Sequence, residues 1–473
     1  MSNNVITEPQ ITAFGELSVA QKDPEFQISA QYDSLSEVRT IAVGGTATAE
    51  GGEFVATTGT TTTGFGAIFT DRQIISRAGQ GSEIIFTARF TLGVPNSRQT
   101  AGADTAVDAM DFGYEGVEFG VFFFHGGRVI IEELTITTPA SGSESATINI
   151  NGNSFTVPIT AGTVEHNASE IAESLNSQVA LYNFTQNEDQ VVARSVLVGP
   201  ETGSFSFSSD GAAVAAWSQV SDGLLRDEEF VKQSDWNSGL ELEQTLNPTM
   251  INRYKIVLNG SVDYYIEDAV TGRYVLIHRK VHTNIETTPM FSISAFRVAW
   301  AAFNTGNTTN LTIAGTEAAA FNQGERQIIT NTRSKFNTAV SIGTTQTNIV
   351  TIRCREVFGT KVNLGRIIPA ALTAFTDGNK GAIILLFKNV TFATDPNFQY
   401  INKDSSIAEF ETSPIEVSGG DCIASIVIGS QSALSNDDFS NLLLPGETLT
   451  LSMAVPSAAA ADMNASLIWD EDI

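Results

Sequence analysis

Cysteine is scarce in this 473-residue chain, with only Cys354 and Cys422. So few cysteines exclude a disulfide-dense secreted scaffold. Both sit in apolar, strand-like text, Ile352-Arg353-Cys354 and Cys422-Ile423. Free cysteine packs as a small hydrophobe there, so two buried free thiols are expected, with a single bridge as the alternative. Basic residues are also few, 26 Lys and Arg against 53 Asp and Glu, for a formal net charge of −27. Such a surface repels phosphate backbones, so no nucleic-acid partner is expected. The acidic residues are spread along the chain rather than gathered in a tail, as on a soluble folded surface. No stretch approaches the ~18 consecutive apolar residues of a membrane helix. The densest runs, Val117 to Phe124 and Ala382 to Phe387, have strand length, and membrane insertion is not expected. Met1-Ser2-Asn3-Asn4 shows no basic segment followed by an apolar run, which predicts synthesis in a cytoplasm without a signal peptide.

The chain is rich in Thr, Ser, Gly, Val, Ile and Phe, with only 17% charged residues. That mixture suits half-buried strands and turns, predicting a mainly β fold. The length is enough for two or three domains, each burying its own core without a metal or disulfide staple.

Residues 1–40 hold isolated apolar groups around Phe14, Phe26 and Tyr32, broken by Pro9 and Pro24. They predict an extended arm that lies on a neighbouring subunit, because alone it would bury too little surface to offset its ordering entropy. From 41 to 140 the text is strand-like, and Glu83 to Thr91 places Ile84, Phe86, Ala88 and Phe90 on one face. Residues 141–220 change texture. Asn151-Gly152-Asn153 turns a hairpin, and His166 to Asn176 is the best helix, with Ala168, Ile171, Ala172 and Leu175 on one stripe and Asn167 with Glu170 as its cap. Two more strands, Gln190 to Val198 and Gly203 to Ser208, complete a compact ββαββ unit. Strand patterning resumes after Trp236, so this unit is expected to be inserted into one β domain built from 41–140 and 221–327. A third β block, 328–473, has turn-spaced strands suited to a jelly-roll-like sandwich and closes on Ile468-Trp469.

Candidate chemistry is thin. His278 and His282 lie four apart in strand-like text, where such positions share a face and could hold a metal. No third ligand is nearby, and Arg279 and Lys280 would oppose a cation. Asp104, Asp108 and Asp111 place three carboxylates in a glycine-flanked segment. Their spacing matches no EF-hand, and a solvated acidic loop is the plainer reading than calcium. Glu115 and Glu118, or Asp263, Glu267 and Asp268, come nearest to paired glycosidase carboxylates but lack the spacing. No nucleophile elbow, phosphate loop, dinucleotide fingerprint or zinc helix occurs. Catalytic, cofactor and metal residues are accordingly assigned to none, and the chain is expected not to be an enzyme. Thr57 to Thr63 and Gly306 to Asn310 are Thr- and Asn-rich loops that could meet a sugar, although such loops are usually connectors.

Several stretches resemble virion structural proteins, the fibre, appendage or capsid-associated proteins of tailed bacteriophages and large aquatic viruses. They include Phe14-Gly15-Glu16-Leu17, Arg77-Ala78-Gly79-Gln80-Gly81 with Phe86 to Thr91, and Phe112 to Val121. Later matches are Val262 to Asp268 leading into Thr271 to His278, then Thr347 to Arg353, Phe387-Lys388-Asn389, and Ile468 to Asp472. The resemblance covers most of the chain and marks fold rather than catalysis. It implies a lectin-like, concanavalin-type sandwich carrying the insert, followed by the C-terminal sandwich. It also implies display on the virion surface as a homo-oligomer, a trimer first, with the arm contacting other capsid or tail proteins. A receptor-binding protein that grips host-surface glycans through sandwich loops is the alternative.

Overall fold

The computed structural model describes residues 22–76, 81–105, 107–179, 181–198, 204–238, 242–287, 289–292, 294–323, 331–377, 380–429, 433–436, 442–456 and 460–472. Strands dominate them, and Val164–Gln178 is the one α-helix among the described residues. The protein is mainly β and built from sandwiches, and its described strand pairs are antiparallel. It divides into two compact units. One comprises the described residues up to Arg128, Leu197 and Val198, and those from Leu224 to 323; the other comprises Val129–Val196, 204–223 and 331–472.

The first unit is a sandwich of two sheets. One sheet runs Tyr274–Val281, Ser261–Glu267, Asn252–Leu258, Ser82–Phe90, Thr312–Gly315, Glu53–Thr57, Thr46–Glu50. The other runs Asp227–Lys232, Glu118–His125, Ala109–Glu115, Ser97–Asp104, Ala295–Asn304, Phe65–Thr70, Val38–Val43. Alternation drives the pairing of these faces, since every second side chain of a strand points the same way. Ile84, Phe86, Ala88 and Phe90 are buried from one sheet, and Met110, Phe112 and Tyr114 from the other. Aromatic rings bind the two layers, with Tyr254 centred 5.7 Å from Phe86 and 4.6 Å from Phe112.

The stretch expected to be an extended arm on a neighbouring subunit is, from residue 22 on, part of this unit. Lys22–Ser29 pairs with Glu317–Gln323, and its Phe26 and Ile28 enter the core. The cue was masked by Pro24, which sits where the register shifts, as proline does at bulges and edges. Phe14 lies outside the described residues.

The second unit contains the inserted module. The hairpin, the helix and the two later strands are present, as Glu144–Ile150, Asn153–Ile159, Val164–Gln178, Gln190–Val198 and Phe205–Ser209, but Tyr182–Asn187, not read from the sequence, intervenes after the helix, so the order is not ββαββ. Two further strands extend it. Val129–Thr138, expected in the first sandwich, instead pairs with Val214–Ser221 and adjoins Gln190–Val198, while Phe205–Ser209 pairs with Glu144–Ile150. The hairpin turn has positive φ at both Asn151 (52°) and Gly152 (83°), the backbone that makes Asn-Gly the preferred pair.

The helix buries Ala168, Ile171, Ala172 and Leu175, the stripe read from the sequence. Its cap differs. Thr163 Oγ1 accepts the His166 N–H at 3.2 Å, three residues before the expected start. Asn167 lies inside the first turn, fully buried, donating to the Thr160 carbonyl and accepting from the Ala140 N–H, each at 2.8 Å. Thr163→Ala should therefore lower stability by about 1 kcal/mol in denaturant titration, and Asn167, as a buried polar link, should be the more sensitive position.

Glu144 anchors the turn that follows. Its carboxylate accepts from the Ala213 and Ser141 N–H groups at 3.0 Å and from Ser209 Oγ at 2.9 Å. The backbone N–H groups of Ala213 and Ala212 pull its pKa down from 4.5 to about 2. With the folded value below the unfolded one, its stabilisation is complete above about pH 4.5 and is lost as pH falls toward 2. Melting temperatures of the wild type and Glu144→Gln should converge across that window, and parallel curves would contradict the assignment.

The rest of the second unit is the C-terminal sandwich. One sheet orders Asn331–Ile342, Ala461–Asp472, Arg366–Asp377 and Ala433–Asn436. The other orders Gln399–Tyr400, Ala408–Glu411, Thr347–Cys354, Thr448–Ala454, Ala382–Lys388 and Asp421–Ile428. Ile352, Ile384, Leu451, Met463, Leu467 and Trp469 are among its core residues. Both cysteines are free, but only Cys354 is buried. Cys422 is exposed because Asp421–Ile428 is the outermost strand of its sheet among the described residues, paired on one side only.

Candidate functional site

A cavity of about 320 Å3 opens within the second unit between the module and the C-terminal sandwich. Antiparallel pairing builds its floor. Tyr400 stands opposite Glu409, and Glu409 opposite Arg353, so three neighbouring strands set these side chains in one row. Arg353 grips the Glu409 carboxylate with Nε at 2.8 Å and Nη2 at 2.6 Å, and its guanidinium lies 3.9 Å over the Phe398 ring. Arg355 lies 4.3 Å over the Tyr400 ring and donates Nη1 to the carbonyls of Lys403 and Ser406, each at 3.0 Å.

The module closes the other side. Asn187, at the end of Tyr182–Asn187, donates Nδ2 to Glu409, and Arg353 donates to the Gln186 carbonyl. Asn187 is 3% exposed, and its Oδ1 has no hydrogen-bond partner. Burial pushes the Tyr400 phenol up to about 12 despite the nearby Arg355, so the hydroxyl is protonated and available as a donor. Cys354 also lines the cavity, but burial holds its thiol well above the usual range. It is a packed thiol rather than a thiolate nucleophile. The sequence marks Arg353 and Cys354 only as strand text, and nothing there joins these residues into a site, because they come from separated segments brought together by pairing.

The two Thr- and Asn-rich loops meet in the first unit. The Gly59 N–H donates to Asn310 Oδ1 at 2.9 Å, Thr58 Oγ1 donates to the Thr309 carbonyl at 3.0 Å, and Asn304 Nδ2 reaches the Thr61 carbonyl at 3.0 Å. Thr60, Thr61, Thr62 and Thr63 remain exposed on this cross-linked pair. The loops therefore form one braced surface, which the sequence could not show.

The remaining candidates are occupied by structural work. His278 is buried against Tyr264, with ring centres 6.0 Å apart, and burial lowers its pKa. His282 lies just past the strand end at Val281, in a turn where its carbonyl accepts from the Ile285 and Glu286 N–H groups. The two do not share one strand face. Asp104, Asp108 and Asp111 do not form the solvated loop expected of them. Asp108 and Asp111 are buried, and Asp108 Oδ1 accepts the Gly126 N–H at 3.0 Å. Burial, with Asp104 nearby, pushes the Asp111 carboxyl well up. Among the described residues no group of three His, Cys, Asp or Glu side chains is placed to hold a metal ion.

Glu118 stands exposed at the start of its strand, and the other carboxylates nearest to a glycosidase pattern are engaged. Glu115 pairs with Arg98 at 2.6 Å, and Asp263 takes a two-pronged contact from Arg279 at 2.7 Å. Glu267 pairs with Arg253 at 3.0 Å. Asp268 caps its own turn, where the Thr271 N–H lowers its pKa.

No family model matches the chain, and no curated protein matches it. Solved structures do show some likeness. A structure titled for endo-acting O-glycanases of the human gut microbiota that initiate mucin breakdown is 7% identical, with a TM-score of 0.30 over 63% of this chain and 99% of that one. A Crh5 transglycosylase in complex with NAG is 8% identical, with a TM-score of 0.30 over 67% and 92%. The carbohydrate recognition domain of Emp46p is 12% identical, with a TM-score of 0.24 over 65% and 100%. No activity or ligand passes to this chain from such distant likenesses.

Proposed function

We propose that this protein is a non-enzymatic structural component of a virus particle, displayed on its surface as part of a head or tail fibre or appendage and assembled as a homo-oligomer, a trimer first. The observation that carries the structural reading is the state of the acidic groups. All but the exposed Glu118 of the carboxylates nearest to a catalytic pattern are spent on arginines or on backbone N–H groups, whereas acid-base catalysis needs a pair held free and facing one site. The virion assignment is supported by the resemblance along most of the chain.

Self-association is supported by two sheet edges. Asn331–Ile342 and Asp421–Ile428 each end a sheet among the described residues and expose Phe336 (68%) and Val427 (74%). Such edges offer unpaired backbone groups to another strand. Multi-angle light scattering of the purified protein should give a multiple of the 50.5 kDa chain mass, and a monomeric mass at assembly concentrations would contradict the oligomer. Gold-labelled antibody on intact particles should decorate their exterior, and absence of label from purified particles would sink the virion reading. Incubation with host capsule polysaccharide should release no reducing sugar.

The second reading, attachment to host-surface glycans, is favoured by the braced loops with their exposed threonines. Hydroxyls on a surface that is already ordered bind with less entropy loss than those on free loops. A glycan array that stays blank would remove this reading and leave the structural one intact.

A further inference from the structure

We infer that the cavity of the second unit binds a neutral, hydroxyl-rich ligand the size of one or two sugar rings. This site is separate from the loop pair of the first unit, and it stands whether the protein is a scaffold or a receptor-binding component. Four observations lead to the ligand class. The volume, about 320 Å3, is at the small end of ligand pockets. Four carboxylates and three cationic side chains line it, close to electrical balance. Both arginines of the lining share Glu409, and Glu356 pairs with Arg194 from outside it. A strongly anionic ligand thus finds no spare cation on the floor, and an apolar one would strip water from charged groups without replacing it.

The decisive feature is Asn187. A buried amide oxygen without a partner costs roughly 1–3 kcal/mol unless something donates to it, and this one belongs to a residue that lines the cavity. A ligand hydroxyl is the group that fits, since it donates to Asn187 Oδ1 and accepts from a neighbour. Tyr400 supplies that neighbour's chemistry, as a protonated phenol beside an aromatic face, and Lys403 supplies a further exposed donor at the rim. Ordered acceptors and donors around an aromatic ring are what a pyranose needs, because its hydroxyls bond edge-on while its C–H face lies against the ring. The side chains are also held in advance by Glu409, Ser406 and the Lys403 carbonyl, so little freedom remains to be lost on binding.

The test uses the full-length protein with D-glucose, D-galactose, N-acetyl-D-glucosamine, lactose and N,N′-diacetylchitobiose as probes, read by saturation-transfer NMR and calorimetry. At least one probe should bind with a Kd on the order of millimolar, which is what a ligand of about twelve heavy atoms reaches at ordinary efficiency. Asn187→Ala and Tyr400→Ala should each weaken it by about ten-fold or more, with folding checked by circular dichroism. Thr60→Ala/Thr62→Ala should leave it unchanged. If Asn187→Ala fails to fold, the exposed Lys403→Ala carries the decision, with weaker binding supporting the site and unchanged binding overturning it. Silence of every probe at on the order of tens of millimolar overturns the proposal. So does tighter binding of glucuronate than of glucose, or loss of binding in the loop variant alone.

Discussion

Trp300→Ala is expected to lower the stability of the first unit by about 3–5 kcal/mol. Trp300 lies in Ala295–Asn304 of one sheet, fully buried, and reaches across the core to the other. Its Nε1 donates to the Thr87 carbonyl at 2.9 Å, and its ring sits 5.5 Å from Phe54. Gly315 leaves the space it occupies, since a Cβ at that position would come within 2.2 Å of Nε1. Truncation therefore removes the ring's dispersion contacts, leaves a cavity the rigid sheets cannot collapse into, and orphans the Thr87 carbonyl. Denaturant unfolding followed by far-UV circular dichroism, with hydrogen exchange of the Ser82–Phe90 amides to localise the effect, measures it. A loss under about 1 kcal/mol would mean that the sheets do close over the gap.

Arg366→Met should have a comparable effect on the second unit, for an electrostatic reason. Arg366 and Asp472 stand opposite each other in register and bond at 2.9 Å, with side-chain exposures of 3% and 1%. An ion pair this deep adds little over a well-packed apolar pair, because desolvation offsets its attraction, but removing one partner strands the other charge. The cost is about 3–5 kcal/mol. The double replacement Arg366→Met/Asp472→Leu should recover most of the loss, so the cycle gives a large favourable coupling energy. If the double variant is as unstable as the single one, packing at this strand end matters more than charge. The adjacent Glu471 is held by Ser406 Oγ at 2.6 Å and Trp469 Nε1 at 3.1 Å, so the strand Ala461–Asp472 is tied down by polar groups at its end as well as by its apolar face.

These variants address the core of the first unit and the C-terminal sandwich of the second. The patterning of the sequence predicts an arm, an interrupted sandwich and a terminal sandwich. The structure shifts the boundaries, with Lys22–Ser29 belonging to the first core and Val129–Thr138 to the module. The self-association proposed here therefore rests on the sheet edges Asn331–Ile342 and Asp421–Ile428 rather than on Lys22–Ser29.

What the sequence determined by itself was local and periodic. Alternation placed Ile84, Phe86, Ala88 and Phe90 in the core, the 3.6-residue stripe marked Ala168, Ile171, Ala172 and Leu175, and Asn151-Gly152 declared its turn, because each signal is read within one element. The mainly β class followed from the same period. Tertiary structure alone decided which strands meet. Cys354 and Cys422 sit in similar apolar text, yet one lies in a central strand and the other on an edge. The aspartates of 104–111 read as solvated until the strands on either side buried two of them. The cavity is the plainest case. Asn187 and Glu409 are 222 residues apart and touch only because the module and the C-terminal sandwich pack in one unit. Pairing over such distances depends on the summed burial of whole faces, and no short window of sequence carries that sum.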